Sequence, residues 1–338
     1  MNQLVIVSTS FSNSGGVANH FRGLHRQWNI KVEYIRVGSR EGKVGWLYLL
    51  RNIYSLTNKS RVDTLFLLNP SIGFKSLVRD TIFTVYLSLS NKEVAWLVHG
   101  WNPRIASIFF RNRIIFKLLR NKKIIVLASE FQKYLNQLRY NNVHLSTTKV
   151  DDSLIDNQYS DIRKDFDFSF IGRLVPKKGA LEMLKAVNAL EKTYGAVFNI
   201  CIAGEGPSFN TLKEYASNLK SHVYFPGYLR DKKLGDLYSR TKRLVLPSVH
   251  HEGLPTVILE ALCFGIPVIA TKNGGIVDVV SKQNGVLLPL DFTIEELKEA
   301  MYYSAQLNYN TELITKNADI YRASCVAKQL EGILNLKP

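Results

Sequence analysis

The sequence contains no apolar run long enough to cross a bilayer. Its longest such stretches, Thr64–Pro70 and Thr81–Leu89, are of strand length, far below the roughly 20 residues a spanning helix needs. Cysteine is scarce. Cys201, Cys263 and Cys325 are odd in number and widely spaced, which excludes a disulfide framework and fits reduced thiols in a cytosolic protein. Met1–Ser8 runs straight into an apolar strand pattern with no basic leader, so no signal peptide is expected. Acidic residues are sparse in the first half. Residues 1–165 hold 24 Lys and Arg against 11 Asp and Glu, and residues 166–338 hold 20 against 17. Such an excess points to a polyanion or an anionic surface, with nucleic acid and anionic lipid equal on charge alone. Two signatures are also missing. The first strand leads into Ser-Asn-Ser-Gly15-Gly16 and not into a Gly-x-Gly-x-x-Gly fingerprint. No nucleic-acid recognition module or aromatic-basic RNA-binding motif is found, so nucleic acid is not the expected partner.

What is present is an alternation of short apolar strands with amphipathic stretches. In the first half the strands are Leu4–Ser8, Lys31–Arg36, Val62–Asn69, Val94–His99 and Lys123–Leu127. In the second they are Asp167–Ile171, Phe198–Ala203, Arg243–Pro247 and Pro267–Ala270. Fully apolar strands between helices predict parallel sheets covered on both faces. The length suits two domains, and the polar stretch Asp151–Asp165 separates the halves. The expectation is α/β, with an N-terminal domain over 1–155 and a C-terminal domain over 156–338. The last helical pattern, Thr315–Leu334, is free to pack back on the first domain. Ligands of such sheets lie beyond the carboxyl ends of the strands. Two facing domains would turn their strand-to-helix loops into one central cleft.

Those loops carry the chemistry. Gly172-Arg-Leu-Val-Pro-Lys-Lys-Gly179 places cations before a helix, where free N–H groups and the helix dipole favour a phosphate. Gly204-Glu-Gly-Pro207 follows the next strand. Glu252-Gly-Leu-Pro-Thr256 precedes a helix in which Glu260 stands among Val257, Ile258, Leu259, Ala261 and Leu262. A carboxylate there must be satisfied. The paired hydroxyls of a ribose would do so, or Glu260 faces solvent.

The order and spacing of these motifs over residues 167–290 resemble the retaining family-4 glycosyltransferases, the glycosyl transferases group 1, of the GT-B fold. The first half is similar through its Gly-Gly loop, its His-Gly after a strand and Ser129-Glu-Phe. The resemblance implies two Rossmann-like doubly wound domains facing a central cleft, and a nucleoside-diphosphate sugar as donor. It implies that Arg173 and Lys178 hold the diphosphate, with Gly172, Gly204, Gly206 and Pro207 beside the nucleotide. Glu260 would accept from the ribose hydroxyls. Glu252 would bind sugar hydroxyls, with Gly253, Leu254, Pro255 and Thr256 against the sugar and phosphate, and Pro247 and Ser248 closing the pocket. Gly15 and Gly16 would approach the phosphates, and His99 would stand near the donor sugar. The catalytic set is then His99, Arg173, Lys178 and Glu252.

The sequence departs from that pattern at Asp278, where a longer carboxylate is usual, and at Thr147–Asp152, which lacks the usual Asn-Gly. No Asp-x-Asp motif is present, so neither a metal nor another cofactor is expected, and His250-His251 is not expected to bind one. Arg104–Lys123 carries seven basic residues and no acidic one, with apolar residues near helical spacing. It is expected to form a basic amphipathic helix that either packs on the first sheet or lies on an anionic membrane. Lys43–Leu56 is similar. The resulting reading is a glycosyltransferase at the inner face of the cytoplasmic membrane. Its acceptor would be a saccharide or lipid-linked saccharide of bacterial surface-polysaccharide assembly, such as lipopolysaccharide, O-antigen or capsule. The rivals are a sugar-nucleotide epimerase or phosphorylase on the same fold, and a non-catalytic polyanion-binding protein.

Overall fold

A computed structural model describes residues 3–8, 16–37, 54, 56, 64–71, 73–99, 102–157, 164–250 and 253–336. Gly15, His251 and Glu252 lie outside this set, as does most of the segment Lys43–Leu56. The chain divides into two compact units. One is Met1–Lys149 with Ala323–Pro338, and the other is Val150–Arg322.

The first unit holds a parallel sheet of β1 (Gln3–Ser8), β2 (Lys31–Arg36), β3 (Thr64–Leu68), β4 (Glu93–Val98), β5 (Lys123–Val126) and β6 (Val143–Leu145), in the order β2-β1-β3-β4-β5-β6. Side chains alternate across a strand. Val5, Val7, Phe66, Leu68, Trp96 and Val98 therefore share one core, beneath α2 (Phe74–Leu89), α3 (Pro103–Phe110), α4 (Arg113–Leu119) and α5 (Ser129–Gln137). Leu4, Ile6, Leu65, Leu67, Ala95 and Leu97 face the other way, under α1 (Gly16–Leu24) and the C-terminal helix.

The second unit repeats the plan with β7 (Phe168–Ile171), β8 (Asn199–Ala203), β9 (His222–Gly227), β10 (Leu244–Leu246), β11 (Val268–Thr271) and β12 (Gly285–Leu288). Their order is β12-β11-β10-β7-β8-β9. Its helices are α6 (Asp152–Asp156), α7 (Ala180–Tyr194), α8 (Phe209–Ala216), α9 (Asp231–Ser239), α10 (Thr256–Cys263), α11 (Ile294–Gln306) and α12 (Thr311–Ala318). In each sheet the strand order reverses once, between β1 and β3 and between β7 and β10. Ligands of open α/β sheets bind at such switch points.

The apolar stretch Thr81–Leu89 lies in a 16-residue helix, whose Leu77, Asp80, Phe83, Thr84 and Leu87 are buried at helical spacing. Three expectations are revised. Arg104–Lys123 forms two helices. The Asn112 side chain accepts from Ile114 N and Ile115 N, starting α4 afresh, and Lys123 opens β5. Thr315–Leu334 is also broken, at Asp319–Arg322, into α12 and α13 (Ala323–Ile333). α13 belongs to the first unit, where Ala323, Val326, Ala327 and Leu330 are fully buried and the Glu331 carboxylate accepts from Asn29 N at 2.6 Å. Finally, residues 150–155 fall in the second unit. Val150 N donates to Tyr321 O and Leu154 joins the second core.

Candidate functional site

In the second unit, the loops leaving β7 and β8 interlock through backbone. Gly172 N donates to Ala203 O, Leu174 N to Glu205 O and Ser208 N to Leu174 O, at 2.9–3.0 Å. Gly204 N donates in turn to Gly227 O at the end of β9. Side chains are excluded from this seam. A Cβ on Gly204 would stand 1.8 Å from Gly172 O, and one on Gly206 2.3 Å from Leu174 O. The glycines expected near the nucleotide thus first serve to let two main chains touch.

The loop after β7 also meets the loop after β10 across the switch point. Gly179 has φ +85, and a Cβ there would stand 2.4 Å from Pro247 O. Lys177 O accepts from Val249 N and from Ser248 Oγ. Ser248 O accepts in turn from Thr271 Oγ1 at 2.5 Å, and Asn273 Nδ2 donates to His250 O. Gly253 O accepts from Gly275 N. The carboxyl ends of β7, β8, β10 and β11 are therefore one hydrogen-bonded rim. Arg173 and Lys177 are exposed on it, Lys178 is half-buried, and Pro207 stands outward at its β8 side. Leu254, Pro255 and Thr256 lead into α10, whose N-terminus receives no side-chain cap from Pro255. The N–H groups of its first turn have no intrahelical acceptor.

Glu260 lies half-buried in α10. One of its oxygens accepts from Tyr238 Oη at 2.6 Å. Tyr238 is fully buried in α9 and stacks on Phe264. Burial, and then the adjacent Glu260 carboxylate, hold the Tyr238 phenol well above its ordinary pKa range, so it remains a donor. A protein group thus supplies part of what the apolar surroundings of Glu260 demand. No sequence motif links two residues 22 apart on different helices, so Tyr238 was not foreseen.

His99 belongs to the first unit, at the carboxyl end of β4. Its N donates to Pro70 O, and Ser71 bridges it. Its ring lies 5.2 Å from that of His20 in α1 and 6.0 Å from Phe21. Burial pushes the His99 imidazole down to about 4. His20 is lowered by burial and then by His99 and Lys149. Both rings are neutral at pH 7. Nε2 of each is buried with no hydrogen-bond partner among the described residues, and Asn69 Oδ1 and Thr147 Oγ1 share that condition. Such atoms cost free energy until something bonds them. Gly16 opens α1 in the same unit, while Gly15 and the expected catalytic Glu252 lie outside the described residues.

The chain is similar to several glycosyltransferases. An uncharacterized glycosyltransferase of Haemophilus influenzae is 25% identical over 82% of this chain and 74% of its own length. A Campylobacter jejuni alpha-1,4-N-acetyl-D-galactosaminyltransferase acting on an undecaprenol-diphosphate-linked saccharide is 32% identical over 43% of this chain and 40% of that enzyme. The chain spans well under half the length of several of the curated relatives it matches. Among solved structures, Anabaena HepE in complex with UDP superposes with a TM-score of 0.72 at 18% identity, covering 99% of this chain and all of HepE. That likeness shows the GT-B fold, as the two six-stranded parallel sheets require. Residues 153–317, lying wholly inside the second unit, match the Glycosyl transferases group 1 family.

Proposed function

We propose that the protein is a retaining glycosyltransferase that takes a sugar from a nucleoside diphosphate. The observation that carries this reading is the rim of the second sheet. At the β7–β10 switch point it sets two exposed cations, a half-buried lysine and an uncapped helix N-terminus beside a carboxylate held by Tyr238. A diphosphate beside Arg173, Lys178 and the first turn of α10 would meet fixed positive charge, and ribose hydroxyls would donate to Glu260. HepE's complexes with UDP and with UDP-glucose support this class of ligand.

The chemistry needs little else. As the bond from the anomeric carbon to the phosphate oxygen breaks, charge grows on the diphosphate, where Arg173 and Lys178 stabilise it without reorganisation. The acceptor hydroxyl bonds to the anomeric carbon on the face the phosphate leaves, and its proton passes to a phosphate oxygen. Configuration is retained. His99, kept neutral, has an unbonded Nε2 that suits a sugar hydroxyl. Glu252 binds the sugar by analogy with the family, and no metal is required. The basic first unit and the lipid-linked acceptor of the Campylobacter relative support a lipid-linked saccharide in surface-polysaccharide synthesis as acceptor. The enzyme would work peripherally at the cytoplasmic membrane face, with no nucleic-acid partner.

Proton NMR of the protein with UDP-, GDP- and ADP-linked α-hexoses tests this. Slow hydrolysis to nucleoside diphosphate, with the α-anomer of the free sugar appearing first, is the expected result. The β-anomer first contradicts retention. Conversion of the donor's sugar without release of diphosphate makes the protein an epimerase.

A further inference from the structure

A surface helix normally turns its polar side outward. α2 does the opposite. Phe74, Val78, Ile82, Val85 and Leu89 are exposed by 38–80%, at spacings of four, four, three and four. They form one stripe along about 22 Å of helix, at 1.5 Å per residue. The inner side of the same helix is well packed, with Leu77, Phe83 and Leu87 in the core beneath. The outward side is therefore not apolar for want of a core to face.

α3 and α4 cover the same face of the sheet, and they continue the pattern. Ile108 and Ile114 are exposed by 79% and 75%. Around them Arg104, Arg111, Arg113, Lys117 and Arg120 are exposed. The sole carboxylate on the three helices is Asp80, which is buried and held by both nitrogens of a fork from Arg79. The three helices therefore combine large apolar side chains with cations and present no exposed carboxylate. That is the composition of a surface that lies in the headgroup region of an anionic bilayer.

We propose that the outward face of α2, flanked by α3 and α4, docks the first unit on an anionic membrane. A second copy of the chain is the poorer occupant. A two-fold pairing would bring the face against itself, setting its exposed arginines and lysine against their own kind with no carboxylate to offset them. The stripe also begins at Phe74, three residues beyond Ser71, whose backbone bridges His99. Docking thus places the carboxyl edge of the first sheet at the lipid, where a lipid-linked acceptor is held. This last step rests on the proposed transferase reading, whereas the docking itself does not.

Co-sedimentation of the full chain with phosphatidylglycerol/phosphatidylcholine vesicles tests the docking. UDP affinity, measured in parallel, reports the donor site independently. The wild type should bind the anionic vesicles, bind pure phosphatidylcholine at least tenfold more weakly, and lose binding as salt rises. Val78→Glu/Ile82→Glu and, separately, Arg111→Glu/Arg113→Glu should each weaken vesicle binding tenfold or more with UDP affinity unchanged. Failure of the wild type to bind anionic vesicles at low salt overturns the proposal, whatever UDP does. So does a dimer in analytical ultracentrifugation that the Val78→Glu/Ile82→Glu pair dissociates, since the stripe would then be a self-interface.

Discussion

The two units have the same architecture and opposite surfaces. Each winds six parallel strands with one reversal of strand order. The first carries 24 Lys and Arg against 7 Asp and Glu, the second 20 against 21. The whole positive balance of the chain is therefore on the first. The same layered plan has been put to two uses. In the second unit, glycines bring main chains into contact to build a rigid rim at the switch point. In the first, the distinguishing features are a pair of buried neutral histidines and an outward apolar stripe among cations. Fold alone does not separate these uses; the residues at the strand ends and on the outer helices do.

The second unit's rim is most sensitive at its glycines. Gly204→Ala forces a Cβ onto Gly172 O, and we expect it to cost more than about 3 kcal/mol in urea melts, in the range of severe steric mutants, and to abolish nucleotide binding. A stability within about 0.5 kcal/mol of wild type would show the seam to be loose.

The next largest effect belongs to the first unit. An unfolded histidine titrates near 6.5, whereas folded His99 titrates at about 4, and His20 is lowered too. Between those values the unfolded chain binds more protons. Stability is thus full above about pH 7 and falls as pH drops from 6.5 towards 4, by about 3 kcal/mol for His99 alone. All four tryptophans lie in the first unit, so tryptophan fluorescence reads this unit selectively. Its urea midpoint should fall between pH 7.5 and 5, and His20→Gln/His99→Gln should flatten the trend. An unchanged wild-type midpoint contradicts burial of the pair.

Smaller still is Arg173→Ala, which should weaken UDP binding about tenfold, or roughly 1.4 kcal/mol, with an unchanged melting temperature because the side chain is exposed. Isothermal titration calorimetry reads the affinity, and scanning calorimetry of the unliganded proteins reads the melting temperature. The smallest effect is expected at Gly73 in the first unit, where an added Cβ meets nothing within 4 Å. Gly73→Ala should change stability by less than about 0.5 kcal/mol, which sharpens the contrast with Gly204.

Legibility followed the same division. The cation loop, Gly204, Gly206 and Glu260 were readable because each is a local sequence pattern beside a strand end. The β-strands that were missed, β6, β9 and β12, are sheet edges whose exposed and half-buried residues blunt the apolar signal. Tyr238 and His20 were invisible for another reason. Their meaning lies in partners brought together by tertiary packing, 22 residues away for Glu260 and 79 for His99. The amphipathic segment 104–123 was readable as basic and helical. Its break at Asn112 is a capping choice that periodicity does not reveal. The stripe on α2 went unread because its outward apolar residues merge in sequence with the buried ones.

The central claim is that the second unit grips a nucleoside diphosphate through Arg173, Lys178 and Glu260. Melting temperature with saturating UDP, GDP and ADP, read against each variant's own unliganded value, tests it most directly. One diphosphate should raise the wild-type value by several degrees, and Arg173→Ala and Glu260→Ala should each lose most of that rise. No rise with any of the three, or a rise that both variants keep in full, would contradict the account.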